Sequence, residues 1–219
     1  MKTEDVLKRT DHTLLKPEAS WDDMRAVIDD AAEFSAASVC LPPSFVRRAA
    51  EYAAGRVKIC TVIGFPNGYE TAETKAFEAA DAVKNGADEL DMVIDLGMVK
   101  ERRWDDLLAE IRLVRAACPG KILKVIIETC LLSDEEKIDV CRVVTASGAD
   151  YIKTSTGFSS GGATREDVAL LRANVGENVR VKASGGIRTL EFAEELLALG
   201  ADRLGASALI AEAKKAATP

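Results

Sequence analysis

The chain contains a single histidine, His12, among 219 residues. That scarcity narrows the chemistry. Catalytic zinc sites usually draw two or three ligands from His, and a Ser-His-Asp triad needs a His base. A triad here would have to use His12, close to the start of the chain. The five cysteines, Cys40, Cys60, Cys118, Cys130 and Cys141, form no C-x-x-C pair, and their number is odd. They read as reduced, mostly structural thiols; Cys60 and Cys130 sit in apolar runs, where free Cys packs as a small hydrophobe. No metal and no cofactor are expected. No apolar run approaches the ~18 residues of a membrane span. The first residues, Met1-Lys-Thr-Glu-Asp5, are polar, so no secretory leader is expected and the cytoplasm is the expected location. An excess of positive charge is also missing. The net charge of −7 argues against nucleic acid as the main partner. It leaves room for a small phosphorylated ligand, which needs only a local positive pocket.

What is present is an alternation. Short, β-branched apolar runs at 11–15, 38–41, 57–63, 89–94, 123–128, 151–154, 179–183 and 203–204 read as strands. Amphipathic stretches near 21–35, 44–54, 71–85, 103–117, 133–147, 164–174, 189–199 and 207–215 read as helices, with a short helix preceding the first strand. Ser133-Asp-Glu-Glu136 is a capping box, and Ser20 and Thr164, each followed three residues on by Asp, are looser versions. The tripeptide Gly-Ala-Asp recurs at 86–88, 148–150 and 200–202, each time between a helix and the next strand. Gly there suits the left-handed residue that closes a helix. Eight β-then-α units of roughly 27 residues imply parallel strands and right-handed crossovers, near the compact end for a barrel of ~200 residues or more. An open doubly wound sheet would carry a Gly-rich loop after its first strand, but Lys16-Pro-Glu-Ala19 stands there. The expected fold is therefore α/β, a single (β/α)8 (TIM) barrel spanning residues 1–219.

In such a barrel the chemistry lies at the C-terminal ends of the strands. Three strands place ionisable groups there: Asp91 on the fourth, Lys153 on the sixth and Lys182 on the seventh. Neighbouring strands run ~4.8 Å apart, so the two lysines would share one pocket. Two close ammonium groups depress one pKa, and a neutral lysine is a nucleophile toward carbonyls. Spacing alone leaves open which lysine reacts, and Asp91 reads equally as part of a proton relay or half of a structural ion pair. The loops 156–162, 184–188 and 205–207 are rich in Gly and Ser, as suits a phosphate held by backbone N–H groups, with Arg188 adding charge. Asp11 is expected in a supporting hydrogen bond and Lys16 at the surface. Glu128 is not expected to face the pocket.

The segments Asp11-His-Thr-Leu-Leu-Lys-Pro17, Ser38-Val-Cys-Leu-Pro42, Cys60-Thr-Val-Ile-Gly-Phe-Pro66, Glu89-Leu-Asp-Met-Val-Ile94, Lys124-Val-Ile-Ile-Glu-Thr129, Tyr151-Ile-Lys-Thr-Ser-Thr-Gly-Phe158 and Val181-Lys-Ala-Ser-Gly-Gly-Ile-Arg188 together resemble the deoxyribose-phosphate aldolases, in order and over nearly the whole chain. The resemblance implies a metal-independent class I aldolase that reversibly cleaves 2-deoxy-D-ribose 5-phosphate to D-glyceraldehyde 3-phosphate and acetaldehyde. By motif match Lys153 carries the Schiff base, with Lys182 and Asp91 in the proton relay. Asp11, Thr13, Cys40, Thr156, Gly157, Gly185, Gly186, Arg188, Gly205 and Ser207 fall where substrate and its phosphate are held. The chain departs from the pattern at Leu41-Pro42-Pro43, at Asp95 and in a tail without a terminal tyrosine. One alternative is another phosphosugar barrel, an isomerase or epimerase, which would rely on a carboxylate or His base, often with metal, and need no lysine pair; the other is a non-catalytic sugar-phosphate-binding barrel that has kept the pocket. No self-association surface is legible, so a homodimer or higher homo-oligomer stays open.

Overall fold

The computed structural model describes residues 1–217; the end of the tail, Thr218 and Pro219, lies outside the described residues. Eight strands close into a barrel in chain order: β1 (Thr10–Thr13), β2 (Ser38–Leu41), β3 (Ile59–Ile63), β4 (Glu89–Val93), β5 (Ile122–Ile126), β6 (Tyr151–Lys153), β7 (Arg180–Ser184) and β8 (Arg203–Ala206). Every neighbouring pair is parallel, and β8 closes on β1. The helices that follow are α2 (Trp21–Glu33), α3 (Val46–Ala53), α4 (Ala72–Lys84), α6 (Trp104–Ala117), α7 (Asp134–Ser147), α8 (Arg165–Asn174), α9 (Leu190–Ala198) and α10 (Leu209–Ala217); α1 (Thr3–Leu7) precedes the barrel. A five-residue helix, α5 (Leu96–Lys100), was not expected; Asp95 starts it by accepting the Gly97 N–H at 2.8 Å.

Side chains alternate across each strand. One set, including Leu90, Met92, Val125, Ile152, Val181 and Leu204, is fully buried in the main apolar core. The other set fills the barrel and is polar for much of its height: Asp11, Glu89, Asp91, Lys124, Lys153 and Lys182 are all buried there.

The Gly-Ala-Asp repeat proves to be a structural device. Gly86, Gly148 and Gly200 all have positive φ (105°, 84° and 110°), and Ala87, Ala149 and Ala201 are buried. The third residue closes the unit. Asp88 accepts the Ile59 N–H at 3.0 Å, Asp150 that of Leu123 at 2.8 Å, and Asp202 that of Val181 at 2.9 Å. Each aspartate thus satisfies a backbone donor at the start of the preceding strand, which otherwise opens at the barrel floor. Ser133 and Ser20 both form complete capping boxes, and Thr164 accepts the Asp167 N–H.

Strand ends differ from expectation where loops take over. β1 stops at Thr13, which frees Leu14 and Leu15 to line the mouth of the barrel. β3 begins two residues late, at Ile59, and β8 runs on to Ala206. β5 stops at Ile126, and shortly after it Glu128 adopts a left-handed conformation (φ 51°).

Candidate active site

The register fixes the site. Lys153 and Lys182 are direct partners across β6 and β7, and Asp91 is the partner of Lys124 across β4 and β5. Asp91 Oδ2 receives both Lys153 Nζ and Lys182 Nζ at 2.7 Å, while Oδ1 receives Lys124 Nζ at 2.8 Å and the Cys60 thiol at 3.2 Å. One carboxylate thus joins three ammonium groups. Lys182 also donates to Asp11, and Lys124 reaches Glu89 at 2.6 Å. Below them Arg203 bridges Asp11 at 2.7 Å and Glu89 at 3.2 Å, and Ser38 donates to Asp11 at 2.8 Å.

Of the two lysines, Lys182 is the one the barrel keeps charged. Burial pulls its ammonium down, but the charges of Asp11 and Asp91 outweigh this and hold its pKa above the usual lysine value. The same balance of burial against Asp91 holds Lys124 well above it. Burial pushes Asp91 up, yet Lys124, Lys153 and Lys182 together bring its carboxyl well below the usual range. Asp11 is lowered likewise, burial being overcome by Lys182, Lys124 and Arg203.

A cavity of about 410 Å³ opens above this cluster, lined by loops that follow β1, β6, β7 and β8. Lys153 is the one lysine of the cluster that lines it; Lys182 and Lys124 are wholly covered. Thr13, Thr156, Gly157, Gly185, Gly186, Arg188, Gly205 and Ser207 all line the cavity, and so does Lys16, which was expected at the surface. Asp11, Asp91 and Lys182 lie beneath its floor, and Cys40 is buried in the barrel at 1% exposure, outside the lining. His12 lies apart from the cluster: burial lowers its pKa, its other influences are Asp30, Lys214 and the Ala206 backbone, and its Nδ1 has no partner among the described residues.

Glycine is required in these loops by close approach. A Cβ on Gly162 would come within 2.3 Å of the Gly185 carbonyl oxygen. Gly157, Gly185 and Gly186 have φ of 85°, 84° and 75°, so the backbone itself turns here, as an anion-binding concavity needs. Glu128 steadies the far rim. Its two oxygens accept the Thr156 N–H at 3.3 Å, and one also accepts the Thr156 hydroxyl.

The family model for DeoC/LacD family aldolases matches residues 6–214. The chain belongs to the DeoC/LacD aldolase family. Among its relatives, the deoxyribose-phosphate aldolase of Streptococcus pyogenes serotype M4 (strain MGAS10750) is 56% identical over 218 residues, which covers 100% of this chain and 98% of that protein. The deoxyribose-phosphate aldolase of Clostridioides difficile (strain 630) is 52% identical, covering 93% of each. The solved structure of the tetrameric deoxyribose phosphate aldolase of Aeropyrum pernix superimposes with a TM-score of 0.89 at 32% identity, covering 99% of this chain and 93% of that one.

Lys124, Glu89, Arg203 and Cys60 belong to the buried constellation of this aldolase, and sequence reasoning assigned none of them a site role. A signal existed. Lys124 and Glu89 are charged residues within runs of strand character, and a charge inside a barrel needs a partner.

Proposed function

We propose that this chain reversibly cleaves 2-deoxy-D-ribose 5-phosphate to D-glyceraldehyde 3-phosphate and acetaldehyde through a Schiff base on Lys153. The observation that carries the reading is that Lys153, alone among the lysines of the buried cluster, lines the cavity and is hydrogen-bonded to a carboxylate that also holds a second lysine.

Charge balance supports Lys153 as the nucleophile. The cluster holds four cations, Lys124, Lys153, Lys182 and Arg203, against three carboxylates, Asp11, Glu89 and Asp91. Loss of one proton leaves it neutral. Lys182 is held by two carboxylates, whereas Lys153 has Asp91 alone and faces the open cavity. The free amine attacks the substrate carbonyl, and water leaves as the imine forms. The protonated imine accepts the electrons released when the neighbouring carbon–carbon bond breaks, giving an enamine. Lys182, protonated and 2.7 Å from Asp91, can return a proton to that carbon, directly or through Asp91. Asp91 is too weak a base to keep a proton; its part is to hold two donors at one point. The Gly157, Gly185 and Gly186 backbone, with Arg188 and Ser207, suits the dianionic phosphate at the far end of the cavity.

The same reading makes the chain a cytoplasmic enzyme without metal or cofactor. No described helix is long and apolar enough to cross a membrane. Self-association is part of the proposal, supported by the tetramer described for the Aeropyrum pernix relative.

Borohydride reduction in the presence of acetaldehyde tests the mechanism. A stable adduct is expected on Lys153 and disappears in Lys153→Ala. Lys182→Ala is expected to bind substrate but form the imine far more slowly. No adduct on any lysine, or unchanged turnover in Lys182→Ala, refutes it.

A further inference from the structure

The cavity above the buried cluster is lined by charge of one sign. The chain carries 36 Asp and Glu against 29 Lys and Arg, yet no carboxylate lines this cavity, while Lys16, Lys153 and Arg188 all do. Lys153 is already held by Asp91. The side chains of Lys16 and Arg188 have no hydrogen bond, ion pair or ring contact among the described residues. A concave site whose cations lack counter-charges concentrates anions.

The backbone fixes where Lys16 stands. β1 ends at Thr13, the Leu14 N–H continues its pairing by donating to the Cys40 carbonyl at 2.9 Å, and the Lys16 carbonyl accepts the Ala19 N–H at 3.1 Å. Leu14 and Lys16 line both this cavity and a second one of about 370 Å³ that Glu18 and Asp23 also line. Asp23 is already engaged there, since its Oδ2 accepts the Ser20 N–H and the Ser20 hydroxyl, both at 2.7 Å. Lys16 therefore has its stem on the wall between an acidic cavity and one without carboxylates, and its ammonium is unpaired on either side.

We propose that Lys16 is the second cation of the phosphate site and sets the preference for phosphorylated over unphosphorylated substrate. The identity of that substrate rests on the aldolase reading. A phosphate monoester carries close to two negative charges near neutral pH. The Gly157, Gly185 and Gly186 backbone supplies dipoles and Arg188 one full charge, which leaves one negative charge unmatched. Lys16 supplies the missing charge from an adjoining loop. β1 pairs with β8, so the loops after β6, β7, β8 and β1 form one continuous arc. An unphosphorylated sugar offers the ammonium no anion, so the contact separates the two substrates instead of favouring both.

Three variants of the full chain test this. Lys16→Met keeps the stem and removes the charge, Lys16→Arg restores the charge, and Lys84→Met makes the same charge change at the exposed end of α4. Lys16 is exposed, so its replacement leaves the core intact. The first readout is calorimetric binding of inorganic phosphate, which needs no chemistry at Lys153. Lys16→Met is expected to weaken phosphate about tenfold, as loss of one charge-assisted hydrogen bond does, and to flatten the dependence of Kd on sodium chloride. Lys16→Arg should recover most of the affinity, and Lys84→Met should bind as the wild type does. The second readout is kcat/KM for 2-deoxyribose 5-phosphate divided by kcat/KM for 2-deoxyribose. This ratio should fall about tenfold in Lys16→Met, through KM. A wild type that binds no phosphate, a Lys16→Met Kd within about twofold of wild type, or an equal loss of kcat/KM on both sugars overturns the assignment. Should Lys153 prove not to form an imine, the loss of phosphate binding in Lys16→Met still appears. Should Lys16 not hold the phosphate, Lys16→Met binds phosphate normally while Lys153 still traps acetaldehyde.

Discussion

Asp91→Asn isolates the electrostatics of the barrel interior. The substitution keeps the shape and removes one charge, leaving Lys124, Lys153 and Lys182 around an amide that itself carries two N–H donors. Asp91, Lys124 and Lys182 are fully buried and Lys153 is 4% exposed, so water cannot screen the three ammonium groups. Removing one partner of a buried ion pair typically costs ~3–5 kcal/mol. Against a total stability of roughly 5–15 kcal/mol that is a large share, and for a domain of this size it lowers the melting temperature by roughly 6–20 °C. The sign of the pH dependence follows from the same charges. In the wild type, Asp91 is held low and Lys124 and Lys182 high, so each stays ionised near neutral pH. In the variant the crowded lysines bind protons less readily folded than unfolded. The unfolded state then carries more protons, and stability rises with pH. Urea denaturation of both proteins from about pH 7 to about pH 10, the ordinary lysine range, should show the gap narrowing as pH rises. A gap below about 1 kcal/mol at neutral pH, or one that stays constant across the range, refutes the charge-balanced cluster.

Gly205→Ala tests placement without touching a charge. The new Cβ would lie 2.9 Å from Ser184 Cβ and 3.1 Å from Lys182 Cε, so Lys182 must shift. We expect kcat to fall by roughly a hundredfold with KM little changed, and steady-state kinetics showing the reverse split would count against a positioning role. Glu128→Gln replaces an acceptor of the Thr156 N–H with a group that also donates, loosening the loop on which Thr156, Gly157 and Phe158 line the cavity. Loss of roughly 1.4 kcal/mol there raises KM for the phosphorylated substrate about tenfold, with kcat less affected; an unchanged KM shows that Glu128 does not order the loop.

The architecture was legible because its signals are local. A period of two in the strands, a longer period in the helices and Gly at the helix ends each depend on a few consecutive residues. All eight strands formed where the pattern placed them, within a few residues. The shifts fall at strand ends, as at Glu128, where contacts with distant loops decide the backbone. The short α5 was missed because five residues carry too little periodicity to read. In the Gly-Ala-Asp repeat, the glycine announced its own function. The aspartate did not, since its partner is an amide 27 to 29 positions back in the first two copies and 21 in the third.

The site was legible as residue types and illegible as a balance of charges. Lys153 and Lys182 stood out because both sit in strands of late, adjacent units. Reasoning from that pair alone saw two like charges and inferred mutual repulsion. The barrel adds what spacing along the chain cannot show: Asp11 from β1 and Asp91 from β4 both meet Lys182 and hold its pKa above the usual lysine value. The two lysines are therefore not equivalent. Lys182 is sealed between two carboxylates and keeps its proton, while Lys153 shares a single carboxylate and faces the cavity. In a cluster of four cations and three carboxylates, Lys153 alone lines the cavity.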